Sequence, residues 1–158
     1  MADARFEDAD DGPLHLVARD AEDLKILSAL AQDAVLPATE MTWQKARRQF
    51  VLLLNRFRWE DRAAAEAAGR PYERVRTLMV ISDVVAVRVQ GIDRRDADTV
   101  LSLLAVAWQA GEDGTGRVLL TLAGDGAVAL DVEALEVSLQ DVTRPYAAPS
   151  GKVPDHGA

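Results

Sequence analysis

Residues 47–60 read RRQFVLLLNRFRWE, the most strand-like run in the chain. From Phe50 through Leu54 every position is apolar, so both faces of that part ask for cover. Phe57 and Trp59 then continue one face, shared with Val51 and Asn55, while Arg56 and Arg58 take the other. A continuous apolar run that passes into alternation reads as a strand leaving the core toward an edge. On this phase Phe57 and Trp59 point inward, Arg56 and Arg58 form the wet face, and Asn55 is an inward polar group that must find a partner.

Upstream, residues 40–45 alternate, with Met41 and Trp43 on one face, and 46–48 make a short turn, so the two strands form a hairpin. Residues 20–35 predict a helix. Asp20 is a good N-cap, and Glu22 and Asp23 place negative charge where the helix dipole favours it. Leu24, Leu27, Leu30, Ala31 and Ala34 make one apolar stripe, and Pro37 stops the helix. Residues 14–18, LHLVA, suit a short first strand. Residues 1–12 carry Asp3, Glu7, Asp8, Asp10 and Asp11, and this composition predicts disorder.

Downstream, residues 60–71 read EDRAAAEAAGRP. Alanine supports a turn or two of helix there, but no large apolar stripe docks it, so a mobile surface loop of little functional weight is expected. Residues 72–81 and 84–92 are valine-rich strands joined at Ser82-Asp83 and read as a pair. Residues 100–109 fit either a strand or a helix by periodicity. The turn-like GEDGTG that follows, leading straight into another strand, favours a strand. Gly124-Asp125-Gly126 is a hairpin turn, because its residue types accept positive φ. Residues 134–142 supply the last strand. From Arg144 on, Pro145, Pro149, Gly151 and Pro154 predict a disordered tail over 144–158. The ordered part is thus a single domain over residues 13–143.

Two segments echo each other. Residues 78–90 read LMVISDVVAVRVQ and 128–140 read VALDVEALEVSLQ. Each joins two strands through a tight connection carrying an acid, Asp83 or Glu133, and ends in Gln. Trp43-Gln44 precedes FVLLL much as Trp108-Gln109 precedes VLLTL. The pattern suggests a duplicated four-strand meander, whose eight strands would close as one barrel or form two packed half-barrels. The fold class is therefore α+β: mostly antiparallel sheet of about eight strands with one amphipathic helix.

At 158 residues the chain suits one domain with a core of its own. A net charge of −8 opposes general binding to phosphate backbones, so nucleic acid is an unfavoured partner. With no cysteine, disulfides and thiolate chemistry are absent. No run approaches the roughly 20 apolar residues of a membrane span, and the acidic N-terminus is no signal peptide, so a cytoplasmic location is expected.

Catalytic material is sparse. His15 lies in the first strand and His156 in the tail, neither beside a nucleophile in sequence, and no nucleophile elbow is present. Gly111, Gly114 and Gly116 precede a strand rather than a helix, so they make a hairpin loop and no phosphate loop. Asp93, Asp96 and Asp98 share a loop with Arg94 and Arg95, whose charges oppose a metal site. No catalytic residue, metal ligand or cofactor is assigned. The basic and aromatic stretch stands out: Lys45, Arg47, Arg48, Arg56 and Arg58, interleaved with Trp43, Phe50, Phe57 and Trp59 and without an acid between them. These five cations are the candidate partner-binding residues.

QDAVLPATEMTW, RRQFVLLLNRFRWE, VVAVRVQGID and LTLAGDGAVALDVEALEVSLQD resemble the characteristic blocks of a family of small alphaproteobacterial proteins of unknown function. The resemblance covers residues 14–142. It implies a bacterial, stand-alone protein and transfers no activity and no site residue. Three readings of function stand side by side. The first is a non-enzymatic interaction module or homo-oligomer contacting a protein partner through the basic strand face. The second is a small-ligand-binding barrel with Val85, Val87, Leu103, Leu120 and Leu130 inside. The third is an enzyme working with carboxylates.

Overall fold

The computed structural model describes residues 12–93 and 98–154. The acidic N-terminus, His156 and the loop residues Arg94, Arg95 and Asp96 lie outside the described residues. The elements run β1 (His15–Ala18), α1 (Ala21–Ala31), β2 (Ala34–Pro37), β3 (Met41–Gln44), β4 (Gln49–Phe57), α2 (Arg62–Ala68), β5 (Glu73–Ile81), β6 (Val84–Gln90), β7 (Val100–Ala110), β8 (Gly116–Leu122), β9 (Gly126–Val132), β10 (Val137–Asp141) and β11 (Tyr146–Ala147). The fold is α+β and dominated by antiparallel sheet, as the alternation predicts.

Asp20 caps α1, its carboxylate accepting from the Asp23 amide at 2.8 Å. Leu24, Leu27, Leu30 and Ala31 are buried. The helix is shorter than the expected 20–35. Asp33 adopts a positive φ of 62°, and the chain leaves it as the extended β2. Beyond Arg144, where disorder is expected, Tyr146–Ala147 pairs with β5 and Ala148 is buried.

The sheet order is β1-β10-β5-β4-β2-β7-β8-β9-β6, with β3 beside β4 and β11 beside β5. It has two ends, β1 and β6, so the expected barrel closure does not occur. β2 bridges two halves: its Val35 lies opposite Asn55 of β4 and Ser102 of β7.

The expected pairing of 72–81 with 84–92 is also not what forms. β5 pairs with β10, and β6 pairs with β9. The favoured two-residue hairpin turns need positive φ at the first central residue. Here Ser82, the first, lacks it and only Asp83, the second, has it, at 56°, and the chain passes on into the other half of the sheet. The second connection does the same in reverse, taking β10 back beside β5. The two connections are tied together where they cross, by Ser82 N–H to Glu136 O and Glu133 N–H to Asp83 O, both 3.0 Å. The sequence echo thus becomes a structural one. β3-β4-β5 and β7-β8-β9 are matching antiparallel runs, with Trp43 opposite Phe50 and Trp108 opposite Val118. Each run lends its fourth strand to the other.

The core fills the inner face of both halves. Phe50, Leu52, Leu54, Met79 and Ile81 meet Leu103, Leu120 and Leu130, all with no exposed surface, and the leucines of α1 lie among them. Val85, expected inside, is instead 52% exposed, because a register shift between Val84 and Ala86 turns it outward. Among the described residues no helix is long and apolar enough to cross a membrane.

Candidate functional site

The inward face of β4 runs Phe50, Leu52, Leu54 and then Arg56, whose side chain has no exposed surface. A guanidinium there must have every donor met, since an unpaired buried charge is costly. Nη1 and Nη2 grip Glu60 at 2.7 and 2.9 Å in the bidentate fork that arginine and carboxylate share. Nη2 also reaches both oxygens of Asp141, at 3.1 and 3.2 Å. Nε donates to Thr77 Oγ1 at 3.2 Å, and Nη1 to the Leu30 carbonyl at 3.3 Å. Asp141 further accepts from the Thr77 hydroxyl at 2.8 Å and the Leu14 amide at 2.9 Å. Burial alone would lower the Arg56 pKa; Glu60, and then Asp141, outweigh it and raise it.

The network continues outward through alternating charge. Arg58 Nη1 donates to Glu73 Oε1 at 2.5 Å, with Asp61 at 3.7 Å, and its Nε has Glu60 Oε2 at 3.7 Å. Arg70 holds both oxygens of Asp61 at 2.7 Å each. The Arg70 fork keeps the Asp61 carboxyl below its ordinary value, against the opposing pull of burial. Local structure makes this arrangement. A 3-10 turn at Trp59–Asp61 passes into α2, and Gly69, at a positive φ of 64°, turns the chain back to deliver Arg70. Trp59 anchors the turn, its indole N–H donating to the Gln32 carbonyl at 2.9 Å and its ring lying edge-on to Phe57 at 4.7 Å.

A half-open cleft of about 450 Å³ lies over the outer part of the network. Its charged wall is Arg58, Asp61, Arg70, Glu73, Asp141 and Arg144, and Pro13 and Pro145 are among its apolar lining. The Arg58 side chain is 9% exposed, and its Nε has no hydrogen-bond partner. Arg144 is exposed and, among the described residues, makes no ion pair. This wall presents guanidinium donors. It lacks a free base, because Asp61, Glu73 and Asp141 are each already held by arginine.

The five expected partner-binding cations do not share one surface. Lys45 and Arg47 are exposed on a 3-10 turn. Arg48 follows in the left-handed conformation and pairs with Glu133 at 2.8 Å. Arg56 and Arg58 are interior, which overturns the wet face expected for them. Phe50–Leu54 carries no phase of its own, and the phase was set from Phe57 and Trp59. The inner face instead takes the even positions, and Arg56 continues it. Asn55 is half-buried on the opposite face, where its carbonyl and side-chain oxygens accept from Arg74 at 3.1 and 3.2 Å. Glu60, Asp61 and Arg70, in the segment expected to be a mobile loop, are part of the site, as are Glu73, Thr77, Asp141 and Arg144. The available signal was an arginine in register with three core residues, followed at once by Glu60 and Asp61.

A family described as proteins of unknown function, DUF2948, matches residues 14–156. The chain belongs to the DUF2948 family. The expectation of an uncharacterised family is thereby met. No curated protein and no solved structure matches the chain. The DUF2948 match takes in both halves of the sheet, β11, and the cleft wall from Arg58 to Arg144.

Proposed function

We propose that this DUF2948 domain is a binding module for a small solute bearing a carboxylate or phosphate, taken up in the cleft over Arg58. The observation that carries the reading is a guanidinium nine-tenths buried in the wall of an open cleft. Partial burial strengthens such a group's hold on an oxyanion, because water screens it less. Arg144 supplies a second cation at the rim. At about 450 Å³ the cleft has the volume of a small-molecule site. This favours the ligand-binding reading, moved from the inside of a barrel to the mouth of the sheet. Carboxylate-based catalysis has less support, since arginines hold the wall acids and Asp61 lies below the ordinary carboxylate range.

The test is native mass spectrometry of the protein purified from its own cells, followed by melting curves against a panel of amino acids, dicarboxylates and phosphate esters. A retained small mass, or a panel member that raises the melting temperature saturably, is expected. At a hundred times its Kd such a ligand adds about 2.7 kcal/mol. Arg144→Glu, at an exposed position, should leave the unliganded melt unchanged and abolish the shift. No retained mass and no shift from any panel member, or a shift indifferent to Arg144→Glu, would overturn the reading.

A further inference from the structure

The arginine network has no positive charge to spare where the cleft opens. Behind the rim three arginines face four carboxylates: Arg56 lies between Glu60 and Asp141, Arg58 holds Glu73, and Arg70 holds Asp61. Arg144, exposed at the rim and without an ion pair among the described residues, brings the formal sum to zero. Arg58 and Arg144 therefore offer an anion hydrogen-bond donors without a surplus of charge behind them. The side chains of Asp141, Asp61 and Glu73 in the wall are 2%, 9% and 30% exposed. Water screens such carboxylates poorly, so each further negative charge on a solute works against them. The net charge of −8 on the chain acts in the same direction. Away from the charges, Pro13 and Pro145 give the lining an apolar part.

We propose that the solute of this cleft is an organic monoanion, one carboxylate on a short apolar body, and that the wall carboxylates exclude dianions. The inference rests on the ligand reading above and narrows it. A monocarboxylate takes donors from Arg58 and Arg144 and leaves the site one charge negative. A dicarboxylate, or a phosphate monoester near neutral pH, leaves it about two charges negative. Specificity then comes from repulsion of the wrong solute as much as from contacts to the right one. A phosphate monoester loses its second charge as pH falls through a pKa of about 6, so acid should admit it. Among the described residues no histidine lines the cleft, so no imidazole of the wall titrates over that range.

Amide NMR titrations of the full chain with pentanoate, glutarate and butyl phosphate test it, read at Thr143 and Arg144 at about pH 7.5 and about pH 5.5. At the higher pH pentanoate is expected to shift these amides saturably and to bind about tenfold more tightly than the other two. Butyl phosphate should tighten about tenfold at the lower pH, as its monoanion comes to dominate, while pentanoate changes little. Glu73→Gln removes one wall charge at nearly constant shape. It should narrow the gap between butyl phosphate and pentanoate at the higher pH about tenfold, with circular dichroism reporting the fold. Butyl phosphate or glutarate binding as tightly as pentanoate at the higher pH would overturn the monoanion inference and leave solute binding standing. So would a gap that neither acid nor Glu73→Gln narrows. Saturable shifts from none of the three would overturn both.

Discussion

Arg56 carries its charge to a place water does not reach, and three elements are arranged around that fact. Glu60 comes from the turn after β4, Thr77 from β5 and Asp141 from the end of β10. Replacing one member strands the others. Arg56→Met leaves Asp141 buried without a counter-charge and Glu60 with only Arg58, at 3.7 Å, and should cost about 3–5 kcal/mol in urea denaturation. An unchanged midpoint would show that the network carries no weight in stability. Asp61 sets a second, pH-dependent effect. Its pKa is lowered in the folded chain, chiefly by Arg70. Its contribution is therefore in place above the unfolded carboxylate value of about 3.9, and is lost as pH falls through the lower folded value. Arg70→Gln should flatten that part of the acid limb while leaving its neighbours' share. Denaturation midpoints measured at a series of acidic pH values would show the difference.

At the scale of elements, the turn at Gly124-Asp125 and the strands on either side of it were legible from local chemistry, and β7 as a strand was favoured only by the turn-like loop and strand that follow it. The phase of β4 was not legible, because a run apolar at every position looks the same from both faces. The partners of β6 and β10 were not legible either. Two strands joined by two residues look like a hairpin until the backbone angles at Ser82-Asp83 are known. β10 lies between β1 and β5 and brings Asp141 to Arg56. A chain cut before Val137 would lose both the sheet's continuity and the carboxylate. It should lack native β-sheet signal by circular dichroism and dispersed amide resonances by NMR. A folded truncated chain would show that β10 is dispensable.

For the molecule as a whole, the echo between 78–90 and 128–140 pointed to two similar antiparallel runs, but not to the exchange of fourth strands. Exchange depends on how two halves meet in space, and no spacing within either half encodes it. The cleft was equally out of reach, because its wall joins residues from Arg58 to Arg144 that become neighbours only after that exchange. The exchange also sets a timetable for synthesis. β1, β4 and β5 leave the ribosome well before the strand that must fit between β1 and β5. Between the end of β5 at Ile81 and the end of β10 at Asp141 lie 60 residues, about 3–12 s of elongation at ordinary rates. For that interval β1 and β5 lack the strand that joins them, and their valine and leucine edges stay bare. Birth on the ribosome is therefore when this chain has most need of a chaperone.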